Sequence, residues 1–221
     1  MTGPAAPATV RGRGYRAPMT ESTTITVVPA NQASAADLRT VFGERGVPYD
    51  CQCQWFKSPA KEWRSMPQEE KEARLRDQTR CGEPESGTTS GLVAYLGGEP
   101  VGWCAVEPRT AYPRLRGMKV PWTGRDEDRD DPAVWAITCF VVRTGHRRRG
   151  VSRALTEAAV GFARERGATA VEGYSLITEP GREVVWGELF VGARSTYEAC
   201  GFREVSSPTP RRRVMRIDFE R

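Results

Sequence analysis

The sequence predicts a single α/β domain, a mixed sheet flanked by helices, and three adjoining segments carry that prediction. Val134 to Val142 (VWAITCFVV) is nine residues without a charge, rich in β-branched and aromatic types, and reads as a mid-sheet strand buried on both faces. From Val151 the apolar residues fall at Val151, Ala154, Leu155, Ala158, Ala159, Phe162 and Ala163, one helical face, with Arg153, Glu157, Arg164 and Glu165 on the other. The helix should end by Gly167. Between strand and helix lies R-T-G-H-R-R-R-G-V-S, with no spacer. Free N–H groups at a helix N-terminus, the positive end of the helix dipole and Arg side chains make this turn an anion site, and phosphate is its natural guest.

The other elements follow in chain order. Residues 1–18 are rich in Pro, Gly and Ala, carry Arg11, Arg13 and Arg16, and are expected to be disordered, a dispensable basic extension or a misplaced start before a folded domain of residues 19–221. Thr24 to Val28 reads as a strand, and Ser34 with Asp37 as the capping box of a short helix closing near Gly43. Tyr49-Asp50-Cys51-Gln52-Cys53-Gln54-Trp55-Phe56 is dense in side chains that are costly to expose. Its C-x-C spacing suggests metal, but zinc takes four ligands and no second pair exists, so no metal is expected and packed thiols are preferred to a metal site or a disulfide. Ser65-Met66-Pro67-Gln68 has the form of a capping box before an exposed helix over Glu69 to Arg80, and Gly82 to Ser90 reads as a loop. Leu92 to Leu96 and Val101 to Val106 form a hairpin around Gly97-Gly98. Residues 107–133 read as a long loop, with five acids between Arg125 and Asp131 that either draw a cationic amine or are simply solvated. Ala170 to Leu176 is the next strand, and residues 177–191 form a variable connection. A short helix closes at Gly201, and Arg203 to Ser206 and Val214 to Phe219 pair around a turn at Ser207-Pro208-Thr209-Pro210.

Arg147-Arg148-Arg149-Gly150-Val151-Ser152 resembles the R/Q-x-x-G-x-G/A signature of GNAT-family N-acetyltransferases, with Ser152 where the family usually has Gly or Ala and Arg148 where Gly is frequent. Residues 193–202 resemble the family's short helix ending in Y-x-x-x-G-F, and the likeness covers roughly residues 23 to 219. It implies a mostly antiparallel sheet whose two central strands splay apart at the cofactor site. It also implies that acetyl-coenzyme A is the cosubstrate. Arg147 and the N–H groups of Arg148, Arg149, Gly150, Val151 and Ser152 would cradle the pyrophosphate, and Phe140, Val141 and Val142 would pair with the pantetheine like another strand. The segment after the first helix would wall the acceptor site, which makes Tyr49, Asp50, Trp55 and Phe56 pocket candidates. Glu107 or Glu172, flanking the splay, would accept a proton from the attacking amine, directly or through water. Tyr197 would face the sulfur and protonate the departing thiolate, a packed ring being the alternative. Attack is direct, so no cysteine nucleophile is required.

Composition bounds the alternatives. With 221 residues and 38% hydrophobic content the chain can build one full core. Of its 33 basic residues 29 are Arg and 4 Lys, a bias typical of a GC-rich bacterial genome. The net charge of +5 includes three arginines of the extension, leaving +2 on residues 18–221, so a nucleic-acid partner using Arg147–Arg149 and Arg211–Arg213 is not favoured. No apolar run reaches the ~18 residues of a membrane span and none has signal-peptide form, so a cytoplasmic location is expected. The expected partner is an amine on a small molecule, peptide or protein. A homodimer is left open, as is a regulator that binds the coenzyme without chemistry.

Overall fold

A computed structural model of the chain describes residues 24–178, 184 and 186–220. The expectations for residues 1–18 and for much of the 177–191 connection therefore lie outside the described residues. Strand β1 (Ile25–Pro29) leads through a 3-10 turn into helix α1 (Ala35–Phe42). The capping box forms as expected: Asp37 N–H donates to Ser34 Oγ, Ser34 N–H donates to Asp37 Oδ2, and Gly43 closes the helix. Three helices follow, α2 (Val47–Cys51), α3 (Ala60–Ser65) and α4 (Gln68–Thr79). Here the expected second capping box is corrected. Ser65 ends α3, where its hydroxyl donates to the carbonyls of Lys61 and Glu62, and α4 begins after Pro67 with no side-chain cap. The hairpin is β2 (Leu92–Leu96) and β3 (Glu99–Pro108).

Residues 109–133 are not one structureless loop. They hold a 3-10 turn at Arg109–Ala111 and the short helices α5 (Pro113–Gly117) and α6 (Lys119–Trp122), built over a buried arginine that sequence patterning does not reveal. The central unit is as expected: β4 (Val134–Val142), α7 (Val151–Glu165) and β5 (Ala170–Leu176). The chain ends in α8 (Trp186–Leu189), α9 (Arg194–Ala199), β6 (Arg203–Thr209) and β7 (Arg212–Asp218). The last turn is tighter than expected, because β6 continues through Pro208. As the outermost strand of the sheet, β6 tolerates a proline without losing a ladder bond.

The seven strands form one sheet in the order β1-β2-β3-β4-β5-β7-β6. Every neighbouring pair is antiparallel except β4–β5. On one face α7 and α9 cover Cys104, Val106, Ile137, Phe140, Val171 and Met215. On the other, α1 and α4 cover Val93, Trp103 and Ala105. Further along that face Phe56, Tyr112 and Leu115 pack on Ala136, Tyr174 and Val214.

The pairing of β4 with β5 stops early, and this positions the site. Val134 to Ile137 pair with Ala170 to Gly173, but β4 runs on to Val142 and β5 to Leu176 without partnering each other. A break in the β3–β4 register between Ala105 and Val106 bends β4 just before the gap. Into the gap comes the stretch before α9: Phe140 N–H donates to Phe190 O at 2.6 Å, and Leu176 N–H to Gly192 O at 2.9 Å. Tyr197 seals it from behind, ring against Phe140 and Phe202. Gly173 is required there, since a Cβ on it would lie 2.4 Å from the Tyr197 ring.

Candidate active site

The basic turn folds as an anion cradle. Arg143 ends the strand, Thr144–His146 makes a 3-10 turn, and α7 starts at Val151 behind Gly150 with no side-chain cap on its first-turn N–H groups. Gly150 has φ +84°, and a Cβ there would meet only Ile25 Cδ1, at 3.9 Å. Glycine is thus dictated by backbone conformation and by what approaches the turn, not by crowding inside the protein. Arg148, at φ +60°, also sits in the left-handed region, which is why glycine suits that position and an arginine there costs ~1 kcal/mol.

From this turn a groove follows the free edge of β4. A cavity of about 690 Å³ is bounded by Val141, Val142, Gly145 and Arg147 on one side and by the end of α1 on the other. Val141, Phe42, Val47 and Pro48 also border a second, apolar cavity of about 380 Å³ that reaches Cys139 on β4. Along its length an extended chain could pair with the strand end. Phe140 N–H, however, is already satisfied by Phe190 O. The residues therefore fit a pyrophosphate at the turn and an extended apolar arm along the groove, provided Phe190 gives way.

The acceptor-wall candidates separate. Asp50 and Trp55 line the 380 Å³ cavity, whereas Tyr49 borders a different depression between α1 and α4, and Phe56 is buried, its ring 6.1 Å from that of Phe190 and facing another, smaller cavity that Trp55 also borders. The C-x-C pair also resolves. Gln52 and Cys53 both take positive φ, which turns Cys53 inward to accept a hydrogen bond from Trp103 Nε1 at 3.0 Å. All six cysteines are free. Burial pushes the Cys51 thiol up to about 11, and contact with Cys53 together with burial raises Cys139. These thiols stay protonated at neutral pH, the state of packing groups and not of nucleophiles.

Three residues were singled out for proton transfer, and their surroundings differ. Glu172 is completely buried. Its carboxylate is held by Arg109 at 3.3 Å, Arg125 at 2.5 Å and Arg216 at 3.6 Å, and accepts the Tyr174 hydroxyl at 2.7 Å. Glu127 closes the network by pairing with the same three arginines. Of the two readings of the acids between Arg125 and Asp131, attraction of an amine or a solvated run, neither describes Glu127, which neutralises the chain's own arginines, while Asp130 pairs with Arg116 at the surface. Glu107, at the end of β3, uses Oε2 for both Lys57 and the Ser90 hydroxyl, leaving Oε1 with no partner among the described residues. Tyr197 is fully buried, and its hydroxyl donates to Val191 O at 2.9 Å. Burial lifts its pKa well above the ordinary phenol value.

Residues 53–178 match the model of the acetyltransferase (GNAT) family, more than half of the chain. The chain belongs to the GNAT family. Among solved structures the GNAT fold is shared with a GCN5-related N-acetyltransferase from Kribbella flavida, at 16% identity and a TM-score of 0.50, covering 88% of this chain and 98% of that one. A PaiA N-acetyltransferase from Thermoplasma acidophilum in complex with coenzyme A is similar at 13% identity and a TM-score of 0.46, covering 89% of this chain and 99% of that one. No curated protein matches the sequence. The sheet order, the parallel β4–β5 pair and its splay agree with GNAT membership. Among the described residues no helix is long and apolar enough to cross a membrane. The arginines considered for nucleic acid do not form one free patch in this GNAT domain, since Arg211 pairs with Glu188 and Arg213 with Glu204.

Two participants escaped the sequence reading. Phe190 lies in a connection without periodicity, and only its place just before Gly192 hints at a fixed backbone. Lys57 carried a signal: one of four lysines among 33 basic residues, directly after Trp55-Phe56. A compact ammonium where the chain mostly uses Arg suits a single-point contact with one carboxylate oxygen, here that of Glu107.

Proposed function

We propose that the protein transfers the acetyl group of acetyl-coenzyme A to a primary amine by direct attack within a ternary complex. The observation that carries this reading is the start of α7: uncapped N–H groups behind a left-handed glycine, Arg147 to Arg149 around them, and a groove leading from there along β4. Family membership supports the coenzyme as donor. Arg147 and Arg149 would pair with the pyrophosphate, the amides of Arg148 to Ser152 would cradle it, and the backbone of Phe140 to Val142 would bind the pantetheine. Asp50 and Trp55 would border the approach of the acceptor.

In the transfer the amine nitrogen forms a bond to the thioester carbonyl carbon, the carbon–sulfur bond breaks, and the amine loses a proton while the thiolate gains one. Glu107 is the better proton acceptor of the two carboxylates, because Oε1 is unengaged whereas both oxygens of Glu172 are held. Tyr197 is the proton donor in this reading, conditionally on one movement. Binding along β4 requires Phe190 O to leave Phe140 N–H, and the adjoining Val191 O is what now occupies the Tyr197 hydroxyl. Displacing the pair frees a neutral phenol beside the splay. Acetyl-coenzyme A mixed with the protein and a panel of primary amines should release thiol, and the product should be an acetamide by mass spectrometry. Tight coenzyme binding without thiol release from any amine would instead support a coenzyme-binding regulator.

A further inference from the structure

A third cavity, about 220 Å³, opens on the same face of the sheet between α6 and β7. Its wall is apolar, built from Phe56, Met118, Val120, Tyr174 and Val191, with one charged residue, Arg212. Tyr174 is the first β5 residue beyond the last β4–β5 pair, Ile137 with Gly173, so the cavity meets the splay where it opens. Trp55 and Phe190 line both this cavity and the 380 Å³ groove beside β4. Phe190 together with Trp55 thus separates the two spaces, and a movement of Phe190 that uncaps Phe140 N–H would join them.

Arg212 differs from the arginines around it. Arg211 is paired with Glu188 and Arg213 with Glu204, whereas the Arg212 side chain has no ion pair or hydrogen bond among the described residues. It is half-buried, and burial draws its pKa down while Glu188 only partly offsets this. A half-buried guanidinium with no hydrogen-bonded carboxylate beside an apolar wall, its remaining donors open to solvent, is placed to pair with an incoming anion.

We infer that this cavity is the acceptor subsite, and that the acceptor is an amine on an apolar skeleton bearing a carboxylate, which Arg212 binds while the amine points through the Phe190 partition toward the splay. The inference rests on the acetyl-transfer reading above and adds the acceptor class to it.

The test uses pairs of probes that differ only in the carboxylate: L-phenylalanine against 2-phenylethylamine, and L-leucine against 3-methylbutylamine. With acetyl-coenzyme A and the full chain, kcat/KM should favour the amino acids by roughly 10- to 100-fold, the effect of one charge-assisted Arg–carboxylate pair. In Arg212→Gln that preference should collapse toward unity, and Arg212→Lys should restore part of it. Equal use of both members of each pair, or a preference that survives Arg212→Gln, overturns the inference. So does silence of all four probes while calorimetry shows coenzyme A bound, a result that leaves the donor-site reading standing. Absence of coenzyme binding would overturn both.

Discussion

Replacing Glu172 with alanine is expected to lower the stability of the protein by about 3–5 kcal/mol, the cost of stripping one partner from a buried ion network. The magnitude follows from what is left behind. Arg109 and Glu172 are both essentially inaccessible and Arg125 nearly so, so removing the carboxylate leaves guanidinium groups facing one another with only Glu127 to compensate. The Tyr174 hydroxyl would also lose its acceptor. Glu172→Gln keeps the shape and an acceptor for Tyr174 but not the charge, and should fall between wild type and alanine. Urea unfolding followed by tryptophan fluorescence measures both. A loss below ~1 kcal/mol in the alanine variant, close to the range of ordinary surface changes, would mean that the buried network does not hold the fold together.

Glu107→Gln should act mainly on catalysis: losing the pairing with Lys57 should cost some stability, but the folded protein should keep its coenzyme site and lose roughly 10²- to 10⁴-fold in kcat, the usual worth of a positioned general base. The amide still accepts from Ser90 and fills the same space, but it cannot take a proton from the amine. Glu107→Asp should recover part of the rate because it restores a carboxylate, though one methylene further back. The diagnostic feature is the split: coenzyme affinity unchanged, turnover lost under conditions where chemistry limits the rate. Equal losses in coenzyme affinity and turnover, or wild-type turnover, would remove Glu107 from the proton path.

The contrast between these two carboxylates shows what was legible in the sequence. Both stand on strands beside β4, each opposite Ala136 just before the splay, and residue type and spacing treat them alike. Their difference arises from Arg109 and Arg125 of the 109–133 segment and Arg216 of β7, which meet around Glu172 only through tertiary packing. The strand, turn and helix of residues 134–165 were readable because each is local: an uncharged run, a glycine behind a helix start and a 3.6-residue period. The capping box at Ser34 was readable for the same reason. The motif at Ser65 failed because the same four-residue pattern can end a helix as well as begin one, and its neighbours chose the former. The acceptor wall was legible in part. Aromatic density marked residues 49–56 as buried, but which side each ring faces depends on the left-handed turn at Gln52 and Cys53, a conformation that nothing in the residue types demands.

The central claim, that the turn before α7 binds the pyrophosphate of a coenzyme, is tested most directly by calorimetry of coenzyme A binding to the wild type, to an Arg147→Ala/Arg149→Ala variant and to Gly150→Val. Each Arg–phosphate contact contributes about 1.5–3 kcal/mol, so the double variant should bind roughly 10²- to 10⁴-fold more weakly. Gly150→Val should also bind poorly, because the added side chain projects into open space in front of the cradle and strains a backbone held at φ +84°. Circular dichroism should show all three folded. Coenzyme affinity equal to wild type in both variants would contradict the assignment of this turn as the donor site.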